Sequence, residues 1–166
     1  LDLALAHDGN NVPALIVKGF LELSNLDSAA AKETFSAVLA RDSVNSQAYL
    51  GRALAQVADN QLTTAQGDLE RAVALEPGNA VYRSYLGKLF FEQGKEDQAL
   101  QEFLIAERSD PLDPTPHLYR AFTHLSKNNP IAALRDVEQS IALNDARAVY
   151  RSSFLLDQDR AVRSTS

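Results

Sequence analysis

Cysteine is absent from the 166-residue sequence, and long apolar runs are absent as well. Without cysteine there can be no disulfide, zinc knuckle or thiol nucleophile, and the composition is compatible with both the cytoplasm and the periplasm. Because a membrane-spanning helix needs about 20 consecutive apolar residues, we expect no direct membrane insertion.

A basic cluster is also lacking. The chain carries 16 Lys and Arg residues against 22 Asp and Glu residues, which gives a net charge of −6. The basic residues are scattered singly among acidic ones, a pattern typical of solvated helix faces. Because proteins that bind nucleic acids neutralise phosphates with clustered Lys and Arg, we expect no nucleic-acid partner.

The motifs of common enzymes are missing too. The sequence has no GxxxxGK[ST] loop, GxGxxG turn, GxSxG elbow or HExxH helix. His117 and His124 lie seven residues apart and share a helix face, but they occupy positions where we expect packing, without carboxylate or cysteine ligands nearby. We therefore predict no enzymatic activity, no metal site and no cofactor.

What the sequence does contain is an internal repeat. The string AVYRS occurs at Ala80–Ser84 and again at Ala148–Ser152, an offset of 68 residues or twice 34. A 34-residue frame starting at Val12 therefore divides the chain into repeated units. The full units are 12–45, 46–79, 80–113 and 114–147, preceded by the tail of another unit at 1–11 and followed by a partial unit at 148–166. Because neither end carries a polar capping helix, we interpret 1–166 as a single array cut from a longer one.

Small and large residues recur at fixed positions of the unit. The eighth position holds Gly19, Ala53, Gly87 and Ala121, the twentieth Ala31, Ala65, Ala99 and Ala133, and the twenty-fourth Phe35, Leu69, Phe103 and Val137. Two helices approach closely only where small residues lie at their crossing. We expect the eighth and twentieth positions to face each other there, as Gly87 and Ala99 would, and the twenty-fourth to fill space against the next unit.

Helices and turns alternate within each unit. Short polar turns separate the two helices, and Pro77 and Pro111 follow second helices, which proline cannot continue. The predicted helices lie near 1–7, 12–24, 28–41, 46–59, 62–75, 80–93, 96–109, 114–127 and 130–143, with a tenth starting near 148. The predicted fold class is all-α, built from helix–turn–helix repeats.

The third unit carries a resemblance to a known family. Its residues YLGKLFFEQGKEDQALQEFLIAERSDP resemble the tetratricopeptide repeat, and the similar pattern of the other units extends the resemblance over nearly the whole chain. The resemblance implies a right-handed α-solenoid whose concave surface is lined by the first helix of every unit. Arg83 departs from the family, which often has a large aromatic residue at that fourth position.

The resemblance also implies where a partner binds. In the family, certain first-helix positions face the concave groove, and here they are unusually apolar. From these and neighbouring positions we predict a partner-binding groove of Ile16, Phe20, Leu50, Leu54, Tyr85, Lys88, Tyr119 and Phe122. The Lys, Asn and Arg clamp of the chaperone co-factors and the Asn ladder of the sugar-transferase branch are both missing from the matching positions.

The predicted function is that of a protein–protein interaction scaffold, binding a peptide or a helix of a protein partner in an apolar groove. Two readings of the apolar residues remain beside it: packing between neighbouring first helices, and self-association of two copies. The alternative function is a regulatory or targeting segment of a larger enzyme or of a transport or secretion protein.

Overall fold

The computed structural model describes residues 11–145, and all of its regular structure there is helical. The helices are α1 (Val12–Ser24), α2 (Ser28–Arg41), α3 (Ser46–Ala58), α4 (Leu62–Leu75), α5 (Ala80–Glu92), α6 (Glu96–Ser109), α7 (Pro114–Ser126) and α8, which runs from 130 to the last described residue, 145. The all-α class is confirmed. The predicted helices at 1–7 and from 148 lie outside the described residues, and the right-handed superhelix and the division into units stay predictions.

An Asn or Asp side chain starts each first helix, α1, α3, α5 and α7. These N-caps are Asn11, Asn45, Asn79 and Asp113, spaced 34 residues apart. In α1, for example, the Ala14 N–H donates to the Asn11 side chain at 2.9 Å. Each cap satisfies a backbone donor that has no partner within the helix, which fixes where the helix begins.

A residue with positive φ lies in the turn after each first helix. The residues are Leu26 (φ 62°), Asn60 (φ 59°), Gly94 (φ 72°) and Asn128 (φ 54°). This left-handed conformation ends the helix and turns the chain toward the second helix of the pair. Three of the four are Gly or Asn, the residues that tolerate it best, whereas Leu26 does not.

Large rings pack on glycines where the helices cross. A Cβ added to Gly87 would lie 2.6 Å from the Phe103 ring, and one added to Gly19 would lie 2.6 Å from the Phe35 ring. The eighth position is therefore small because it receives the ring of the twenty-fourth position. This corrects the predicted contact between Gly87 and Ala99: Ala99 is fully buried as expected, but Phe103 is the nearest neighbour of Gly87.

Ion pairs join the two helices of three pairs. Arg52 on α3 holds Asp68 on α4 through two hydrogen bonds of 2.7 Å. Arg120 on α7 holds Asp136 on α8 in the same register, with Nε 2.9 Å from Oδ2. In the third pair the arginine lies one turn earlier, and Arg83 Nη1 donates to Glu102 at 2.9 Å. The departure of Arg83 from the family pattern is thus explained by an interhelical ion pair.

The helices pack in chain order, each against the next, from α1 to α7. First helices also contact one another across neighbouring pairs, α1 with α3 and α5 with α7. Two apolar clusters form the core, one around Phe35 and the other around Leu69 and Phe103. The contacts between first helices place their outer residues on one surface, which we call the groove.

Candidate partner-binding groove

The predicted groove residues of the first two pairs lie largely within the core. Ile16 and Leu50 are each only 8% exposed, so they form the floor of the surface and not its accessible part. Phe20 and Leu54 are partly buried, and the Phe20 ring meets the Phe35 ring edge-on at 5.1 Å. These four residues therefore contribute packing as well as surface.

The other four predicted residues come together between α5 and α7. The Lys88 ammonium lies 5.2 Å from the centre of the Tyr85 ring and 4.6 Å from that of Tyr119. The Tyr119 ring in turn meets Phe122 edge-on at 6.0 Å. Both tyrosines are partly buried, and Phe122 is 45% exposed. We call this group, Tyr85, Lys88, Tyr119 and Phe122, the aromatic–lysine cluster.

A cavity opens beside the cluster. It has a volume of about 180 Å³ and is lined by Val81, Ser84, Tyr85, Lys88, Asp113, Thr115 and Tyr119. Asp113 is buried and caps α7, accepting the Thr115 N–H at 3.0 Å. Sequence reasoning missed Asp113 and Thr115, although Asp before Pro-Thr-Pro is a signal for a helix start that places both at the mouth of the first helix.

Ser84 is the polar side chain in this cavity that lacks a partner. It is 3% exposed, and its hydroxyl makes no hydrogen bond with any described residue. Gln56, Gln93 and Glu22 also have one buried oxygen without a partner, but another atom of each side chain is engaged. Buried polar groups are nearly always hydrogen-bonded, so the Ser84 hydroxyl marks a place where a further group belongs.

Lys88 differs from every other Lys or Arg on α1, α3, α5 and α7. The others are all paired with acids: Lys18 with Glu22, Arg52 with Asp68, Arg83 with Glu102, and Arg120 with Glu107 and Asp136. Lys88 has only the two tyrosine rings within reach among the described residues. Contact with the ring faces stabilises the positive charge but uses none of its three N–H donors as a conventional hydrogen bond.

The two histidines of α7 belong to a separate cluster behind the groove. His117 is buried, and its Nδ1 lies 3.1 Å from Arg120 Nη2 and 3.6 Å from Asp136 Oδ1. His124 Nε2 lies 3.5 Å from Asp136. Carboxylates are therefore nearby, contrary to the sequence-based expectation. Within residues 11–145, however, no three of these side chains are arranged to hold a metal ion.

Asp136 is ionised because of its neighbours. Burial would raise its pKa, but hydrogen bonds and the positive charge of Arg120 hold the pKa of Asp136 below the ordinary value. The same pair raises the pKa of Arg120, chiefly through the hydrogen bond to Asp136. The histidines complete an ion-pair network that joins α7 to α8.

Paired antiparallel helices with a groove along the first helices define a helical-repeat protein. A family model described as Tetratricopeptide repeat matches residues 18–65 and 52–114, more than half of the chain. The chain belongs to the tetratricopeptide repeat family. No curated protein matches it significantly.

Solved structures support the same fold. A thermophilic tetratricopeptide repeat protein of Thermus thermophilus is 21% identical with a TM-score of 0.78, covering 93% of this chain and 87% of its own. MamA of Desulfovibrio magneticus is 20% identical with a TM-score of 0.74, covering 86% and 80%. PilF of Pseudomonas aeruginosa is 23% identical with a TM-score of 0.77, covering 83% and 64%. At these identities the similarity shows the fold alone.

Among the described residues, each helix is too short or too polar to cross a membrane.

Proposed function

We propose that this chain is a protein-interaction scaffold that binds a peptide or a helix of a partner protein in the groove formed by α1, α3, α5 and α7. The proposed groove residues are Ile16, Phe20, Leu50, Leu54, Tyr85, Lys88, Tyr119 and Phe122. Proteins of the family act in general as scaffolds for protein interactions and not as enzymes.

The aromatic–lysine cluster is the observation that supports this proposal. Tyrosine and phenylalanine offer large contact areas at low conformational cost, which is why interfaces are rich in them. Here the rings of Tyr119 and Phe122 are held by each other, and Tyr119 is also stacked on Phe103 at 6.0 Å. A partner therefore meets a preorganised surface, which lowers the entropy lost on binding.

Exposed apolar residues extend that surface along α7. Leu118 is 39% exposed, Phe122 45% and Leu125 53%. Packing between first helices accounts instead for Leu23, Val57 and Phe91, which lie against the two core clusters. The alternative of a purely structural apolar face is thus strongest in the first two pairs, and we place the binding surface mainly on α5 and α7.

Replacement of Phe122 by alanine tests the proposal. A photo-crosslinking amino acid at position 122 of the intact protein, used in its native cells, identifies the partner by mass spectrometry. Phe122→Ala is expected to weaken binding of that partner by about 2 kcal/mol or more in a titration, because central aromatic residues dominate interface energies. Stability should change little, since the ring is already 45% exposed.

Ile131→Ala is the matched control, because Ile131 is an apolar residue 76% exposed on α8. It should change neither binding nor stability, and a crosslinker there should capture no partner. Unchanged partner binding by Phe122→Ala would contradict the proposal. So would a loss of about 3–5 kcal/mol of folding free energy, the cost of removing a core phenylalanine.

A further inference from the structure

We infer that the cavity between α5 and α7 is a subsite for a carboxylate side chain, Asp or Glu, on the segment that the groove binds. This inference rests on the proposed function and specifies the chemistry of the partner. Two independent features of the cavity carry it: the Lys88 ammonium, which no acid neutralises, and the buried Ser84 hydroxyl, which has no partner.

Lys88 supplies the positive charge. Every other Lys or Arg of the first helices is within 4 Å of a carboxylate, which indicates that this chain, with a net charge of −6, rarely leaves a cation unpaired. The rings of Tyr85 and Tyr119 fix the ammonium in place at 5.2 and 4.6 Å. A partner carboxylate can therefore accept its N–H donors without first displacing an acid of the protein.

Ser84 supplies a second donor on the same side of the helix. Ser84 and Lys88 are four residues apart on α5, so their side chains share one face. Both line the cavity. A carboxylate has two oxygens and accepts several hydrogen bonds, so one group satisfies both donors at once.

The size and the other polar residues of the cavity narrow the ligand further. Its volume of about 180 Å³ is below the roughly 300–1,000 Å³ of pockets for drug-sized ligands and suits one side chain. Asp113 also lines it and accepts the Thr115 N–H, so the incoming negative charge belongs beside Lys88 and away from Asp113. The adjoining Phe122 ring favours a large apolar residue next to the acidic one.

A random dodecapeptide library displayed on phage is the probe, selected on the full chain. We expect the enriched peptides to carry Asp or Glu beside a large apolar residue. Replacing that acid by its amide should weaken binding to the wild-type chain about tenfold or more, the effect of losing a hydrogen-bonded charge pair. The same replacement should change binding to Lys88→Met less than twofold, because the charge it faced is gone.

Lys95→Met is the matched control. Lys95 also lies over an aromatic ring, 5.6 Å from the centre of Phe90, but it does not line the cavity. Its loss should leave affinity and the preference for the acidic peptide unchanged. Lys88→Arg should retain most of the binding, and thermal melts of all variants show that they are folded. Ser84→Ala should weaken only the acidic form of the peptide, by a few fold.

Two other results would separate this inference from the proposed function. Peptides that bind through Phe122 but are indifferent to their acid and to Lys88→Met would overturn the carboxylate subsite and leave the groove in place. If no selected peptide loses affinity with Phe122→Ala, both the subsite and the groove are wrong.

Discussion

At the scale of single residues, the left-handed turns show how one position is filled differently in each pair. Asn60, Gly94 and Asn128 adopt positive φ at low cost, whereas Leu26 adopts φ 62° with a side chain 91% exposed. The left-handed region brings Cβ close to the following carbonyl oxygen and costs roughly 1–2 kcal/mol for most residues. Leu26 therefore carries local strain that no packing repays.

We expect Leu26→Asn to raise the free energy of unfolding by roughly 0.5–1 kcal/mol, because asparagine tolerates this conformation and no buried contact is lost. Urea unfolding measures the change. The reciprocal variant Asn60→Leu should destabilise by a similar amount. A lower stability of Leu26→Asn would mean that the leucine side chain is engaged in a contact.

Two glycines on helices give opposite predictions for the same substitution. A Cβ on Gly51 would overlap the fully buried Phe35 ring, whereas one on Gly67 would meet no atom within 4 Å. Gly51→Ala should thus destabilise by roughly 1–3 kcal/mol through overpacking. Gly67→Ala, in the interior of α4, should stabilise by roughly 0.5–1 kcal/mol because alanine loses less entropy in a helix. Thermal unfolding of the two variants distinguishes them, and a loss of stability in both would contradict the packing described here.

At the scale of elements, an ion pair fastens α7 to α8. Because the pKa of Asp136 is lowered in the folded chain, its contribution to stability is present above the unfolded carboxyl pKa of about 3.9 and is lost as the pH falls through the folded pKa. Asp136→Asn should lower the free energy of unfolding at pH 7 by roughly 1–3 kcal/mol, since Arg120 and His117 lose a buried partner. The difference from wild type should narrow below pH 4, where the carboxylate itself becomes protonated.

Glu138→Gln is the comparison for that experiment, because Glu138 is exposed on the same helix. It should alter the stability by less than about 0.5 kcal/mol at either pH. A pH-independent effect of Asp136→Asn would show that the pair acts through shape and not through charge.

The helices could be predicted from the sequence because their signals are local and repeat four times. Their bounds differ by a residue or two from the prediction where the structure describes them. The neighbour of Gly87 could not be predicted, because glycine and alanine at a crossing are compatible with either a second small residue or a ring. The pairing of Arg83 with Glu102 could not be predicted either, since a shift of one helical turn leaves the ion pair intact.

The groove was only partly predictable for a similar reason. Position in the unit identified the aromatic–lysine cluster, but the same positions in α1 and α3 place Ile16 and Leu50 in the core. Exposure depends on how closely neighbouring first helices approach, which the residues of one unit do not determine. The missing partner of Ser84 likewise follows from three-dimensional packing alone.

At the scale of the whole molecule, contacts run between successive helices and between neighbouring first helices. In such an array, stability is approximately the sum of each pair and its interfaces with its neighbours. A change at one interface is therefore expected to remain local, and the binding surface on α5 and α7 can vary without disturbing α1 and α2.

The sixth position of the unit sets the width of the seam between adjacent pairs. At the seam between the first two pairs the buried Phe35 ring faces Gly51, and α1 and α3 approach along more of their length than α5 and α7 do. At the seam between the last two described pairs the ring of Phe103 faces Tyr119 instead, and two stacked rings act as a spacer. The cavity lies beside that spacer. One residue type at one recurring position thus decides whether a seam is sealed or left ajar, so a repeat array can acquire a new recognition pocket by point mutation while its backbone register stays the same.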